Sequence, residues 1–217
     1  MKVGLVFPFV FEAASLIGDL AMRRLRGSPF QVYRVEYEDN DVFLLICGQG
    51  EERSFRGTEY LIQKFSPEFL IHAGTGGGLL PGIKLFTTVW GRKFKSISEK
   101  EEIDFGFNRY LNLFPGELRV KNEEDTAGLI LTVPRIARNE SEAARYHSLY
   151  SAILCEMETF GFVRASEKNK VPYVVFRVVS DIPDSNTVNQ FRKNQKKSSE
   201  VISKKIKIIL EKLLKKV

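Results

Sequence analysis

The sequence predicts an α/β fold in three layers, a mixed central β-sheet flanked by helices, and two observations predict it. Five or six short runs rich in β-branched and aromatic residues recur along the 217 residues, and stretches with apolar side chains at helical spacing alternate with them. At 43% hydrophobic, the chain is long enough for one substantial core and short for two, so residues 1–217 are expected to form a single domain.

Met1 to Val10 reads as a first strand, and Phe11 to about Arg24 as a helix with Ala14, Leu16, Ile17, Leu20 and Ala21 on its apolar side. Glu12 falls at their junction, where a carboxylate either complements the helix dipole or faces a ligand at the C-terminal edge of the sheet. Phe30 to Tyr37 alternates as FQVYRVEY, the polar turn Glu38 to Asp41 follows, and Val42 to Cys47 completes a hairpin. After Gly48-Gln49-Gly50 come a helix from about Ser54 to Phe65 and, past Pro67, a strand from Phe69 to Ala73. Gly74-Thr75-Gly76-Gly77-Gly78 is then either a bend between core strands or a loop whose amides approach an anion or sugar. It lacks both the Gly-Lys-Ser/Thr of a P-loop and the dinucleotide spacing.

Between Trp90 and Glu123 the charged run KSISEKEEID and the aromatic run FGFNRYLNLFPGEL are expected to be part surface and part packing. Gly128 to Val133 is the next strand, Glu140 to Ser151 a helix, and Ala152 to Cys155 a short strand. From Glu156 the chain reads as a helix with Met157, Phe160, Gly161 and Ala165 on one face and a polar stop at Glu167 to Lys170. Pro172 opens the strand Tyr173 to Val179, which carries Arg177 and stops at Ser180 and Asp181. A guanidinium in such a run needs a partner, and Glu156 or Glu158 supplies one. The pair is either a structural tie from helix to strand or part of a site. Ile182 to Gln195 lacks periodicity and is expected as a mobile loop, whereas Ser198 to Val217 places Ile202, Ile206, Ile209, Leu210, Leu213 and Val217 at helical intervals with lysines opposite.

Composition narrows the classes of function. The net charge is 33 − 27 = +6, but Arg192 to Val217 holds ten Lys/Arg against Glu200 and Glu211, or +8, so residues 1–191 net −2. A basic face confined to one helix reads as solvated surface, and no nucleic-acid partner is expected. No stretch reaches the roughly 18 apolar residues that a membrane span needs. Pro8 and Glu12 interrupt the apolar start, which reads as a strand and not as a secretion signal. Cys47 and Cys155 sit in apolar runs without motif spacing, as reduced core residues of a cytoplasmic protein do. His72 and His147 lack ligand-spaced neighbours, so neither a metal nor another cofactor is expected, and no Gly-x-Ser-x-Gly elbow is present.

Glu156-Met157-Glu158, followed some twenty residues later by a Pro-led strand and Arg-x-x-Ser-Asp, resembles the signature of the purine nucleoside phosphorylase superfamily. The likeness is to its hydrolytic branch, the methylthioadenosine/S-adenosylhomocysteine nucleosidases and the futalosine hydrolases. Met-Glu-x-Phe-Gly at Met157 to Gly161 and Ala-Gly-x-Gly-Gly-Gly at Ala73 to Gly78 are similar to the futalosine hydrolases, as is Phe-Gly-Phe at Phe105 to Phe107. The resemblance implies a nucleoside phosphorylase-like fold and hydrolysis of the N-glycosidic bond of a purine nucleoside, 6-amino and 5′-modified, by a cytoplasmic homodimer. It assigns Glu12 and Arg177 to the attacking water and Asp181 to protonation of the purine. Glu158, Met157 and Thr75 go to the ribose, with Glu156, Gly74, Gly76 and Ser180 close by. The segment after the Gly128 to Val133 strand stacks on the base in the relatives, which points to Arg135 and Ile136. Two alternatives share the fold: a phosphorylase, with Arg53 and Arg56 reaching phosphate, and a non-catalytic nucleoside-binding protein.

Overall fold

The computed structural model describes residues 1–99, 102–104 and 125–214; the Phe105 to Phe107 motif, the rest of FGFNRYLNLFPGEL and Val217 lie outside the described residues. The chain runs β1 (Lys2–Phe7), α1 (Val10–Asp19), β2 (Arg23–Leu25), β3 (Gln31–Tyr37), β4 (Asn40–Ile46), α2 (Glu51–Phe65) and β5 (Phe69–Gly78). It continues as β6 (Thr88–Ser96), β7 (Glu102–Asp104), β8 (Asp125–Thr132), α3 (Glu140–Tyr150), β9 (Ala152–Glu156), α4 (Thr159–Asn169), β10 (Tyr173–Asp181) and α5 (Thr187–Leu214).

One mixed sheet carries all of these strands. β1 lies parallel to β4 on one side and to β5 on the other, and β3 and β2 extend the sheet antiparallel beyond β4. β5 runs parallel to β10, β10 antiparallel to β6, and β6 and β8 parallel to one another and to β9. β9 returns antiparallel to Gly77 and Gly78, closing β5, β10, β6, β8 and β9 into a ring. Residues of opposite parity in the strands face opposite layers. Val3, Leu5, Ile71, Phe176 and Val178 pack with Ile202, Ile206 and Ile209 of α5 and Leu16 of α1. Val6, Leu70, Tyr173, Val175 and Val179 pack with Leu61 of α2 and Phe160, Phe162 and Val163 of α4. Arg177 shares the parity of Val175 and Val179, so it enters the sheet's α4 side.

Four expectations change. The first helix stops at Asp19, because Ala21 takes a positive φ of 48° and Arg23–Leu25 pairs with β3 as an edge strand. Gly74 to Gly78 is neither bend nor loop but the buried second half of β5. A Cβ on Gly76 would lie 2.5 Å from Leu154 Cδ2 and 2.8 Å from the Cys155 carbonyl oxygen, so glycine lets β9 close against this strand. Glu156 ends β9 and Glu158 is the N-cap residue of α4, so the two carboxylates flank a turn and do not open a helix together. The segment expected as a mobile loop from Ile182 to Gln195 becomes helical at Thr187, where α5 begins some eleven residues earlier than its apolar period shows.

Candidate active site

Arg177 is fully buried at the middle of β10. Its Nη2 donates to Glu156 Oε2 and to Thr159 Oγ1, both at 2.8 Å. Of the two candidate partners, Glu156 is therefore the one that pairs. Glu156 also accepts from Thr132 Oγ1 at 2.7 Å and from the backbone N–H groups of Glu158 and Thr159 at 2.9 and 2.8 Å. That carboxylate thus serves the free amides at the start of α4 and balances the guanidinium, which makes the charge tolerable in a dry setting. His72, fully buried on β5, has its ring nitrogens 3.1 and 3.2 Å from the same Nη2 and stacks on Phe162 at 4.5 Å. Burial, helped by the Arg177 charge, pushes its pKa well below the usual value and keeps the ring neutral.

With Nη2 committed, Nε and Nη1 of Arg177 are buried with no hydrogen-bond partner. Nη1 borders Gly74, where a Cβ would lie 3.2 Å from it and 3.1 Å from Glu12 Oε1. Gly74 therefore sits between a carboxylate and an unfinished guanidinium, where any side chain would crowd both. Glu12 is 2% exposed; its Oε1 accepts from the amide and hydroxyl of Thr75, each at 2.7 Å, and its Oε2 from Phe9 N–H at 3.1 Å. Burial raises its pKa, against the opposing pull of Thr75 and Arg177, so the carboxyl is more basic than an ordinary glutamate.

Two more carboxyls complete the set. Glu158 Oε1 accepts from Gly50 N–H at 2.9 Å, and burial, followed by the charge of Glu156, pushes its pKa up to about 8. Asp181 ends β10 beyond an irregularity at Ser180, whose hydroxyl donates to Oδ1 at 2.6 Å. Its Oδ2 is buried without a partner, and burial pushes the pKa up to about 6. An unpaired buried oxygen favours the protonated acid, whose O–H then points at whatever fills the space in front of it.

These groups converge. A cavity of about 170 Å³ is lined by Glu12, Thr75, Gly76, Glu156, Met157, Glu158, Ser180, Asp181 and Ile136. Gly74 and Arg177 stand behind its wall. Arg135 is not brought in: its guanidinium pairs with Glu142 at 2.7 Å and lines a neighbouring groove with Asn186 and Val188. Sequence reasoning missed Phe9, Gln49, Ala137, Cys155 and Phe191, which also line the cavity. For Phe191 a signal exists, since it is a lone aromatic in the polar run Asn186 to Gln195. Among the described residues no group of three His, Cys, Asp or Glu is placed to hold a metal ion, and no helix is long and apolar enough to cross a membrane.

The model of the phosphorylase superfamily matches residues 3–215. A curated relative from Buchnera aphidicola subsp. Acyrthosiphon pisum, a 5′-methylthioadenosine/S-adenosylhomocysteine nucleosidase, is 28% identical over 203 residues, covering 86% of this chain and 87% of its own. The nucleosidase of Glaesserella parasuis is 24% identical over 226 residues, covering 93% and 96%. Among solved structures, a mutant of the Helicobacter pylori nucleosidase with 5′-methylthioadenosine in its active site superposes with a TM-score of 0.85 at 16% identity, over 98% of this chain and 99% of that one. A futalosine hydrolase mutant from Helicobacter pylori gives 0.84 at 15% identity over the full length of both chains. A family match that runs from residue 3 to residue 215 makes this chain a member of the phosphorylase superfamily, and the relatives it resembles lie in the superfamily's nucleosidase branch.

Proposed function

We propose that the protein hydrolyses the N-glycosidic bond of a purine nucleoside, 6-amino and modified at the 5′ position. The observation that carries this reading is the convergence of three buried carboxyl groups, Glu12, Glu158 and Asp181, on one cavity. Breaking the bond passes through a ribosyl cation-like state, which asks for a grip on the sugar, a proton for the base and a nucleophile at C1′. Glu158 accepts hydrogen bonds from the ribose 2′ and 3′ hydroxyls, and these bonds favour its charged form and set a negative charge against the developing cation. Met157, 3.1 Å from Gln49 Nε2 through its sulfur, packs beneath the sugar. Asp181, whose raised pKa of about 6 keeps far more of it protonated near neutrality than an ordinary aspartate, donates to purine N7 through its free Oδ2, so the base departs neutral. Glu12 takes a proton from a water on the cavity side of its carboxylate, with the Arg177 charge behind the wall helping to hold that carboxylate in place, and the resulting oxygen attacks C1′.

Hydrolysis is favoured over phosphorolysis by where the arginines lie. Arg56 pairs with Glu52 at 2.6 Å on the surface, and Arg53 lies against Gly48; neither lines the cavity. The amino-purine assignment is supported by an aspartate at 181 and by the named activities of the curated relatives. Purified protein incubated with methylthioadenosine, adenosylhomocysteine, aminodeoxyfutalosine, futalosine and inosine is expected to release base, seen by chromatography, from the amino-purine nucleosides. Binding without release from any of them would replace the enzyme reading with that of a binding protein.

A cytoplasmic homodimer is part of the same proposal. Val10 and Val188 are 44% and 49% exposed and Ile136 is 39% exposed, all next to residues of the cavity or its outer groove, which supports an interface there. Solution scattering should return the mass of two chains, and a monomer would count against it.

A further inference from the structure

The start of α5 holds both sides of Asp181 by its backbone. Asn194 Nδ2 donates to the Ser180 carbonyl at 2.7 Å, and Gln190 Oε1 accepts from Ile182 N–H at 3.1 Å. Gln190 and Asn194 are four residues apart on one helix, hence on one face and adjacent. The other end of the Gln190 amide donates to Asp184 Oδ2 at 2.8 Å, and Asp184 itself binds the first turn: its Oδ1 accepts from Asn186 N–H at 2.7 Å, and its backbone exchanges hydrogen bonds with Thr187 Oγ1. Between the two amides, Phe191 reaches the cavity and packs edge-on against Phe11 at 5.7 Å. Asp181 itself has one side-chain hydrogen bond, from Ser180, so its Oδ2 is aimed chiefly by the path of its own backbone.

We propose that Gln190 and Asn194 are positioning residues for Asp181: together they clamp the Ser180 to Ile182 backbone and set the direction of the Oδ2 that faces the leaving base. The proposal rests on the reading of Asp181 as general acid. Beside the Phe191 contact, the two amides tie the start of α5 to the end of β10. A proton donor must sit within hydrogen-bond reach of the atom it protonates, and a displacement of about 1 Å at a reacting group costs on the order of 10²-fold in rate. The proposed grip on the ribose lies with Glu158 and Met157, to which neither amide bonds.

The test uses the full-length protein with methylthioadenosine as probe substrate. Asn194→Ala and Gln190→Ala should each lower kcat by about 10- to 100-fold with KM within about threefold of wild type, and both together should approach the loss in Asp181→Asn. Asn194→Asp keeps the size of the side chain but presents an acceptor to the Ser180 carbonyl, so it should fail as badly as alanine. If these variants keep kcat within twofold, or lose kcat only in step with a rise in KM, the clamp is wrong. Asp181→Asn separates the two claims: a variant that retains wild-type kcat removes the acid assignment, whereas one that collapses while the amide variants remain active removes only the clamp. Far-ultraviolet circular dichroism and thermal midpoints of each variant show whether a loss of rate follows a loss of fold, and unfolding of Asn194→Asp and Asn194→Ala would itself overturn a purely positioning role.

Discussion

Asp181→Asn is expected to lower the rate of base release by about 10²- to 10⁴-fold, the usual worth of a positioned general acid, with little change in KM. Asparagine keeps the shape of the side chain and can still accept from Ser180 Oγ and donate a hydrogen bond to N7. It cannot give up a proton, so it preserves binding and removes the chemistry. The wild-type profile should carry the same signature. With the carboxyl pushed up to about 6 by burial, kcat is maximal where Asp181 is protonated and declines as pH rises through that value. Stability moves with the same group. Its folded pKa lies above the ordinary 3.8, so its contribution is fully present below that value and is lost as pH rises through about 6. Asp181→Asn should then be no less stable than wild type at pH 8, which distinguishes lost catalysis from lost fold. A variant with wild-type kcat at pH 7 would remove Asp181 from the mechanism.

Glu12→Gln should produce a loss of the same order, about 10²- to 10⁴-fold in kcat, by a different route. The amide oxygen can still accept from both groups of Thr75, so the β5 side of the site keeps its shape. The amide nitrogen replaces Oε2 opposite Phe9 N–H, losing that bond, and the side chain can no longer take a proton from water. Arg177 also loses a nearby carboxylate and is left with Glu156. Because the proposed ribose grip sits on Glu158 and not on Glu12, KM should stay within a few-fold. Loss of binding with kcat retained would instead make Glu12 a substrate ligand.

Much of this site was legible in the residues, but unevenly. Arg177 announced a buried charge because it interrupts a β-branched strand, and burial demands a partner whatever the function. Which glutamate paired was not legible, since Glu156 and Glu158 straddle a turn and only the end of β9 decides which carboxylate faces β10. The glycines of Gly74 to Gly78 looked like a break because glycine weakens a strand. They are instead required where β9 and β10 crowd one strand from both edges, a tertiary condition without a local signal. Gln190 and Asn194 were invisible for a related reason: a helix held by amide hydrogen bonds shows no 3.6-residue apolar period. The roles of Glu12 and Glu158 came from resemblance to a family, and the structure adds that both are buried and face one space.

The most direct test of the central claim is the identity of the sugar product when the protein acts on methylthioadenosine in the presence and absence of inorganic phosphate. If water activated by Glu12 attacks C1′, the product is the free reducing sugar, formed at the same rate in both conditions and abolished in Glu12→Gln. A sugar 1-phosphate, or release that requires phosphate, would contradict the account and return the protein to the phosphorylases.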